Sequence, residues 1–323
     1  MRKMPHVTFK KLEIKLLILA AILIVIILGA FVWQAQEQKK PPSFLLAWGS
    51  QGYGPSQFYS PSAVAVDSSG NVYITDYGTN RVEKFTSNGN YITQWGNQGS
   101  GPGQFYGPNG VAVDSSGNVY VTDTWNYLVQ KFTRDGKYVT QWAQLNPPLG
   151  ISVDASGNVY VTSVGDNRVE KFTSTGTFIT QWGSGGSGPG QFDQPWGVAI
   201  DSSGNVYVVD DGNSRVEKFT STGTYITQWG SSGSGPGQFN GVTGVAVDSY
   251  GNVYVTDRGR VQKFDSYERY ITQWGPMALV LANSTFRWVL PLIYPETYTW
   301  LSRRIVVLKS SEASPSCQWS RWY

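Results

Sequence analysis

The sequence predicts an all-β fold in which one four-stranded antiparallel unit is repeated, preceded by a single apolar helix. Three observations indicate this. A motif typified by GVAVDSSGNVYVTD recurs five times along the chain. Glycine is abundant (37 residues) and charged residues make up only 15%, a composition that suits short strands joined by tight turns. One run of 18 residues without a charge lies ahead of the repeats.

The apolar run extends from Leu16 to Trp33. At about 1.5 Å per residue it nearly spans a hydrocarbon core of about 30 Å, and in lipid such a run must be helical to pair its backbone groups. A cleaved signal peptide is the alternative, but its apolar region is usually shorter and is followed by a small-residue cleavage site. Five cationic residues precede the run. The positive-inside rule therefore predicts a single-pass cell-membrane protein with residues 1–15 in the cytoplasm and everything after residue 34 outside.

The repeat is marked by the aspartate that closes the first strand of each copy. Successive copies are 47, 40, 47 and 47 residues apart. The short interval lacks the connector GSGPGQF, which occurs at 99–105, 186–192 and 233–239 and whose glycines and phenylalanine suit a tight crossing between units. The aspartates are Asp67, Asp114, Asp154, Asp201 and Asp248.

Each copy is predicted to contain four strands. VAVD is mostly apolar, as an inner strand buried on both faces would be. After an SSGN turn comes NVYVTD, and RVEKF follows with an alternation that predicts outward-facing charges. YITQW is the outer strand. Four antiparallel strands repeated about every 40–50 residues predict one blade of a β-propeller per copy. The predicted organisation is a polar stalk at 34–43, the propeller at 44–275 and a C-terminal tail at 276–323.

These recurring motifs resemble the NHL repeat family of β-propellers over residues 44–275. The resemblance implies a disc of blades, typically six, around a central channel. The family includes bacterial receptor-kinase ectodomains, TRIM-type proteins that bind RNA or protein partners, and amidating lyases.

Outer-strand tryptophans indicate the number of blades. There are six of them but only five sets of inner strands, so the strand ending at Trp48 precedes its own blade and is expected to complete the last one. The sequence thus predicts five clear blades and an incomplete sixth. The tryptophans are Trp48, Trp95, Trp142, Trp182, Trp229 and Trp274.

The tail after Pro276 departs from the repeat. Read in a shifted codon frame, residues 277–308 return a connector, an inner strand and an SGNVYV turn in blade order, which predicts a frameshifted sixth repeat. A genuine, unrelated C-terminal segment is the alternative. In the printed frame, the run from Arg303 to Leu308 retains the composition of a strand. The sequon at Asn283 and the single cysteine, Cys317, lie in this tail and are given no functional weight.

Carboxylates at the ends of the second strands could bind a cation. They are Asp76, Asp123, Asp210 and Asp257. We favour an architectural role for them, in which they accept backbone N–H groups of the following turn or pair with Arg81, Arg215 or Arg260. No metal or cofactor is predicted, and a calcium site built from aspartate and backbone oxygens stays open.

Loop positions that break the repeat are the candidate binding residues, because loops on a rigid scaffold carry function and exposed aromatics serve as contact hot spots. Ordinary loop variation is the alternative. The positions are Tyr77, Trp125, Tyr127, Val164, Asp166, Trp196, Asp211 and Arg258.

The function predicted is that of a membrane-anchored scaffold that binds a protein, peptide or glycan. A propeller-type lyase or hydrolase is an alternative, but lyases of the resembled family use histidines with a metal, and the only histidine here is His6. A net charge of +3 argues against nucleic acid. A single cysteine excludes the RING of TRIM-type relatives. A decaying surface-protein copy without a function is the third reading.

Overall fold

The computed structural model describes residues 19–20, 23–29, 43–143, 145–257, 259–275 and 305–309. The chain divides into two compact units, Met1–Lys40 with Ser311–Tyr323, and Pro41–Ser310. In the first unit, residues 19–20 and 23–29 are helical. No helix among the described residues is long and apolar enough to cross a membrane. Half of the predicted span 16–33 lies outside the described residues, so the membrane anchor stays a prediction.

The second unit is a β-propeller of five four-stranded antiparallel blades, which confirms the predicted fold class. Strand β1 (Ser43–Trp48) and the short parallel pair β2 (Ser50–Gln51) and β3 (Gln57–Phe58) precede the blades. Blade 1 comprises β4 (Pro61–Val66), β5 (Val72–Asp76), β6 (Arg81–Phe85) and β7 (Tyr91–Trp95), and blade 2 comprises β8 (Pro108–Val113), β9 (Val119–Asp123), β10 (Leu128–Phe132) and β11 (Tyr138–Ala143). A 3-10 turn, Thr124–Asn126, joins β9 to β10.

The remaining three blades follow the same plan. Blade 3 comprises β12 (Pro148–Val153), β13 (Val159–Ser163), β14 (Arg168–Phe172) and β15 (Phe178–Trp182). Blade 4 comprises β16 (Pro195–Ile200), β17 (Val206–Asp210), β18 (Arg215–Phe219) and β19 (Tyr225–Trp229), and blade 5 comprises β20 (Val242–Val247), β21 (Val253–Asp257), β22 (Arg260–Phe264) and β23 (Tyr270–Trp274). In every blade the strands pair in sequence order, from the inner strand outward.

Inner strands of successive blades lie side by side around a central channel. β4 contacts β8, and the series continues through β12 and β16 to β20. Among the described residues, no contact of similar extent joins β20 back to β4. The hydrophobic core lies between neighbouring blades, as in the cluster that packs Tyr73 and Val82 of blade 1 against Phe105 and Phe132 of blade 2.

Strands β1 and β24 (Ile305–Lys309) occupy the register of the two outer strands of a blade. They pair antiparallel, with Trp48 opposite Ile305 and an irregularity after Phe44. The same register joins β6 to β7, where Trp95 lies opposite Val82. Residues 44–48 therefore form the outer strand of a further, incomplete blade, as the sequence predicted. The rest of the tail lies outside the described residues.

The repeated tryptophans pack between blades. The ring centroid of Trp95 lies 5.8 Å from that of Phe132 in the next blade, and Trp48 lies 5.8 Å from Phe85. Trp95 also rests on the hairpin turn of blade 2, where Gly136 has φ +80° and a Cβ would lie 2.6 Å from the indole. Glycine is required there both for the backbone conformation and for the space. The same tryptophan–phenylalanine contact recurs at Trp142, Trp182 and Trp229.

Burial of the strands differs from the sequence prediction in two respects. The inner strands are only half-buried, because one side faces the channel, whereas the second strands are buried throughout. The prediction that third-strand charges face outward is wrong, since Arg81, Glu83 and Lys84 are all buried. The neighbouring connector and the next blade cover these side chains, so their charges are satisfied internally. Lys84 Nζ, for example, donates to the carbonyl of Arg134 in the next blade at 2.9 Å.

Candidate functional site: the connection face

The two ends of the propeller carry different segments of the repeat. Inner strand β4 starts where β5 ends, because Pro61 lies opposite Asp76. That end, which we call the connection face, therefore carries the loops between second and third strands and the connectors between blades. The opposite end, the turn face, carries the turns at 67–71 and 86–90 and their equivalents.

The turns between first and second strands, which lie on the turn face, are nearly identical in all five blades. The Asp67 carboxylate accepts the backbone N–H groups of Ser69 and Asn71 at 2.9 and 2.8 Å, and also the Asn71 amide and the Tyr73 hydroxyl. The repeat aspartates are thus turn-forming residues, as expected from their regular spacing. The equivalent networks are centred on Asp114, Asp154, Asp201 and Asp248.

The aspartates that end the second strands are architectural. Asp76 accepts the N–H groups of Tyr59 and Ser60 at 2.9 and 2.7 Å, which belong to the preceding connector rather than to the following turn. Asp210 pairs with Arg215 at 2.8 Å, as predicted. Arg81 pairs instead with Glu83, so its predicted partnership with Asp76 is wrong. Asp257 pairs with Arg260 at 2.7 Å, and Asp123 is held by the Tyr106 N–H and the side chains of Asn126 and Gln130.

The central channel has a volume of about 280 Å³ and is lined by the five inner strands. Its polar side chains are Asn109, Ser152 and Thr243, and Trp196 lies at the end that opens on the connection face. Within the described part of the chain, the lining contains no carboxylate, lysine, arginine or histidine. The described residues also hold no cluster of three His, Cys, Asp or Glu side chains that could bind a metal. The channel therefore presents no acid–base pair.

An aromatic patch covers blades 1 and 2 on the connection face. Tyr106 is 50% exposed, and Trp125 and Tyr127 are each 44% exposed. Tyr53 and Tyr59 stack with ring centroids 5.2 Å apart, and both are exposed. We define the aromatic patch as Tyr53, Tyr59, Tyr77, Tyr106, Trp125 and Tyr127.

Contacts within the patch link the two blades. Trp125 Nε1 donates to the Tyr77 hydroxyl at 2.6 Å. Both rings lie over Gly107, where an added Cβ would be 2.5 Å from the indole and 2.8 Å from the Tyr77 ring. Tyr59 lies over Gly78 in the same way, at 2.5 Å. Glycine beneath the rings is what allows them to lie against the backbone.

Tyr127 adopts an unusual backbone conformation for a bulky residue, with φ 60° and ψ 37°. Asn80 and Asn167 occupy the equivalent position in blades 1 and 3, where φ is also positive. Their side chains accept the N–H groups of Gly107 and Gln194 in the next connector, at 2.8 and 3.0 Å. The glycine-rich connector is absent after blade 2, so the asparagine is not needed there. An exposed tyrosine is held instead in a conformation that costs about 1–2 kcal/mol.

An acidic patch, defined as Asp166, Asp193 and Asp211, continues around the connection face over blades 3 and 4. Asp193 is exposed and lies over Gly212. Burial raises the pKa of Asp211, and the nearby carboxylates of Asp210, Asp193 and Asp257 raise it further. Asp166 pairs with Arg168 at 3.2 Å. Among the described residues, neither Asp193 nor Asp211 forms an ion pair.

The structure brings together some of the predicted binding residues. The aromatic patch contains Tyr77, Trp125 and Tyr127. The acidic patch contains Asp166 and Asp211. Trp196 lies at the channel mouth, and Val164 lies in the loop between the second and third strands of blade 3. Arg258 lies outside the described residues. Sequence reasoning missed Tyr53, Tyr59, Tyr106 and Asp193. Tyr59, Tyr106 and Asp193 each directly follow a connector phenylalanine. The residue that follows this phenylalanine also varies between repeats.

Comparisons with known proteins agree with this architecture. The NHL repeat model matches residues 58–85, 105–132 and 192–219. A search of curated proteins gives no match. A nidogen/laminin complex is 19% identical with TM-score 0.56, over 78% of this chain and 86% of that one.

Enzymes are among the proteins with similar structures. A catalytically inactive histidine-to-alanine variant of virginiamycin B lyase from Staphylococcus aureus with quinupristin is 15% identical (TM-score 0.52, 71% and 78% covered). A gluconolactonase from Xanthomonas campestris is 17% identical (TM-score 0.52, 72% and 86% covered). At these identities the likeness concerns the fold alone. Blades 1, 2 and 4 coincide with the family matches, and this chain is a five-bladed β-propeller that contains NHL repeats.

Proposed function

We propose that this chain is a binding protein that presents the connection face of its propeller to a macromolecular partner. The supporting observation is the aromatic patch, which exposes tyrosine and tryptophan on a rigid scaffold. The aspartate-centred turns of the turn face repeat nearly unchanged from blade to blade, whereas the loops between second and third strands on the connection face differ in every blade. Tyrosine and tryptophan dominate the contact hot spots of interfaces. A surface that diverges while its framework stays constant is the part free to acquire a specific partner.

Catalysis is less well supported than binding. The channel lining offers neutral side chains only, and the second-strand aspartates are occupied by backbone N–H groups, amides and arginines. One of the similar lyase structures is a variant inactivated by replacing a histidine, and the one histidine of this chain, His6, precedes the propeller. The fold likeness to lyase and lactonase propellers therefore supplies no catalytic group here.

A crosslinking experiment tests where the partner binds. A benzophenone amino acid replaces Tyr106 on the connection face or, as a control, Tyr267, which is 74% exposed on the turn face. After irradiation of the full chain in cells, we expect adducts from position 106 and none from position 267. Equal crosslinking from both positions, or adducts from 267 alone, would contradict the proposal.

We further propose that the run from Leu16 to Trp33 holds the propeller outside the cell membrane. The support is the uncharged length of the run and the five cationic residues before it. Asn88→Cys in a Cys317→Ser background should react with an impermeant maleimide on intact cells. Thr8→Cys in the same background should react only after permeabilisation. The reverse pattern, or both sites protected, would refute this topology.

A further inference from the structure

The aromatic and acidic patches occupy neighbouring sectors of one face, and together they specify a ligand chemistry. We infer that the connection face binds an extended, proline-rich peptide segment that carries a basic residue. This inference rests on the proposed binding function and narrows it to one class of partner. It is argued from ring geometry, from the hydrogen-bonding groups of the patch and from charge.

Ring faces are what the aromatic patch offers. Trp125 and Tyr77 lie against Gly107 and Tyr59 lies against Gly78, so one side of each ring rests on backbone. Trp125 nevertheless remains 44% exposed, which leaves part of its ring accessible. Tyr59 stacks on Tyr53, and Tyr53 is itself 67% exposed. Proline-rich segments in the polyproline II conformation dock on aromatic-lined surfaces of this kind, because their pre-formed helix loses little entropy on binding.

Hydrogen-bonding groups favour a peptide over a sugar. Tyr77 accepts the indole N–H of Trp125, which leaves its own hydroxyl hydrogen to donate to a ligand carbonyl. Polyproline II backbones present such carbonyls unpaired. A neutral glycan would instead need several donors and acceptors for its hydroxyl groups. The amide side chains beside the patch are already used internally, Asn80 by the Gly107 N–H and Asn126 by the Gly99 carbonyl and Asp123.

Charge supplies the second element of recognition. The residues of the aromatic patch are all uncharged, and its flanking carboxylates Asp76 and Asp123 are fully buried. The neighbouring acidic patch contains Asp193 and Asp211, which no cation of the described chain neutralises. A lysine or arginine next to the proline-rich stretch would complement these carboxylates. This favours a basic segment over an acidic or neutral one.

The strain at Tyr127 agrees with a ligand-binding role. The left-handed conformation belongs to this turn position in all five blades, but only blade 2 places a large ring there, and that ring is 44% exposed rather than packed in the core. Backbone strain of this kind concentrates at ligand-binding positions.

Selection from a random twelve-residue peptide display library tests the inference. The full chain, purified in detergent, is the bait. We expect the enriched peptides to carry two or more prolines spaced as Pro-x-x-Pro, together with lysine or arginine. The highest-ranked peptide is then synthesised, and its affinity is measured by fluorescence anisotropy in parallel with cellohexaose and chitohexaose as competitors.

Matched variants locate the binding site. Trp125→Ala should weaken binding of the selected peptide at least tenfold, and Tyr267→Ala, an exposed turn-face aromatic, should leave it unchanged. Asp193→Asn should weaken binding about threefold, and this effect should vanish for a peptide whose basic residue is replaced by alanine. Asp135→Asn on the turn face is the charge control.

Three results would overturn the inference. They are enrichment of peptides without proline, affinity unaffected by Trp125→Ala, and displacement of the peptide by a neutral oligosaccharide. None of them would refute the proposed binding function, which the crosslinking pattern at Tyr106 and Tyr267 tests separately.

Discussion

Glu217 is a buried acid whose replacement should change how the stability of the propeller depends on pH. It lies on the third strand of blade 4, fully buried, and its Oε2 accepts the Gly190 N–H at 2.9 Å. Arg215 lies next to Oε1 but without the alignment of a hydrogen bond. Burial raises the pKa of Glu217 from its ordinary 4.5 to about 7, although Arg215 lowers it.

The direction of the effect follows from proton binding. Between pH 4.5 and about 7 the folded protein holds a proton on Glu217 that the unfolded chain releases. The free energy of unfolding therefore falls as the pH rises through this window. Above the window Glu217 is ionised in the folded protein, and the full destabilisation by its buried charge is present. A pKa shift of this size corresponds to a loss of at most about 3 kcal/mol in the free energy of unfolding. We expect about 1–2 kcal/mol, because relaxation around a buried charge reduces its cost.

Glu217→Gln removes this titration and keeps the shape of the side chain. The chain itself already uses glutamine at the equivalent position, where Gln130 accepts the Gly103 N–H at 2.9 Å and Gln262 accepts the Gly237 N–H at 2.8 Å. We expect the variant to match the wild type at pH 4 and to exceed it at pH 8. At about 2–4 °C per kcal/mol for a domain of this size, its melting temperature should be about 2–8 °C higher.

Thermal unfolding of the full chain in detergent, followed by tryptophan fluorescence from pH 4 to pH 8, measures this difference. Gln262→Glu is the matched control, because it adds a buried acid near Asp257 and should lower the melting temperature at pH 8 but not at pH 4. The reasoning is refuted if Glu217→Gln lowers the melting temperature equally at both pH values. That result would mean that the ion pair with Arg215 stabilises the fold.

Three further predictions concern the patch, the packing and the tail. Tyr127→Asn should raise the free energy of unfolding by about 0.5–1 kcal/mol in urea titrations, because asparagine tolerates positive φ. A loss of stability would mean that packing of the tyrosine ring outweighs the backbone strain. Trp182→Ala should cost about 3–5 kcal/mol in the same assay, since it removes the contact with Phe219 in the next blade, and a cost below 1 kcal/mol would contradict that role. Resequencing the gene from the codon for Trp274 should reveal a one-base change that restores a sixth repeat; codons that do not encode the repeat in the shifted frame would make residues 276–323 a genuine element.

Local features of the fold were predictable because they are encoded within single repeats. The Asp-Ser-Ser-Gly-Asn turn contains its own acceptor, its own donors and the glycine that the turn requires, so Asp67 and its equivalents were placed correctly. The strand ending at Trp48 was identified by counting tryptophans against inner strands. Tyr77, Trp125 and Tyr127 were singled out as candidate binding residues because they differ from otherwise regular loops.

Contacts between repeats could not be predicted in this way. Arg81 and Lys84 lie in a strand whose alternation resembles that of a surface strand, yet the connector and the next blade bury them and accept hydrogen bonds from them. Tyr59 and Tyr106 follow a buried phenylalanine, and nothing local indicates that they share a face with Trp125.

The sequence by itself determined the repeat, its strands and turns, and the positions at which the repeats differ, since each depends on residues less than one blade apart. The tertiary structure decided which of those positions meet. Tyr77 and Trp125 are 48 residues apart and form a hydrogen bond only because neighbouring blades place equivalent loops side by side. The two patches of the connection face likewise arise from the circular arrangement of the blades, which no single repeat encodes.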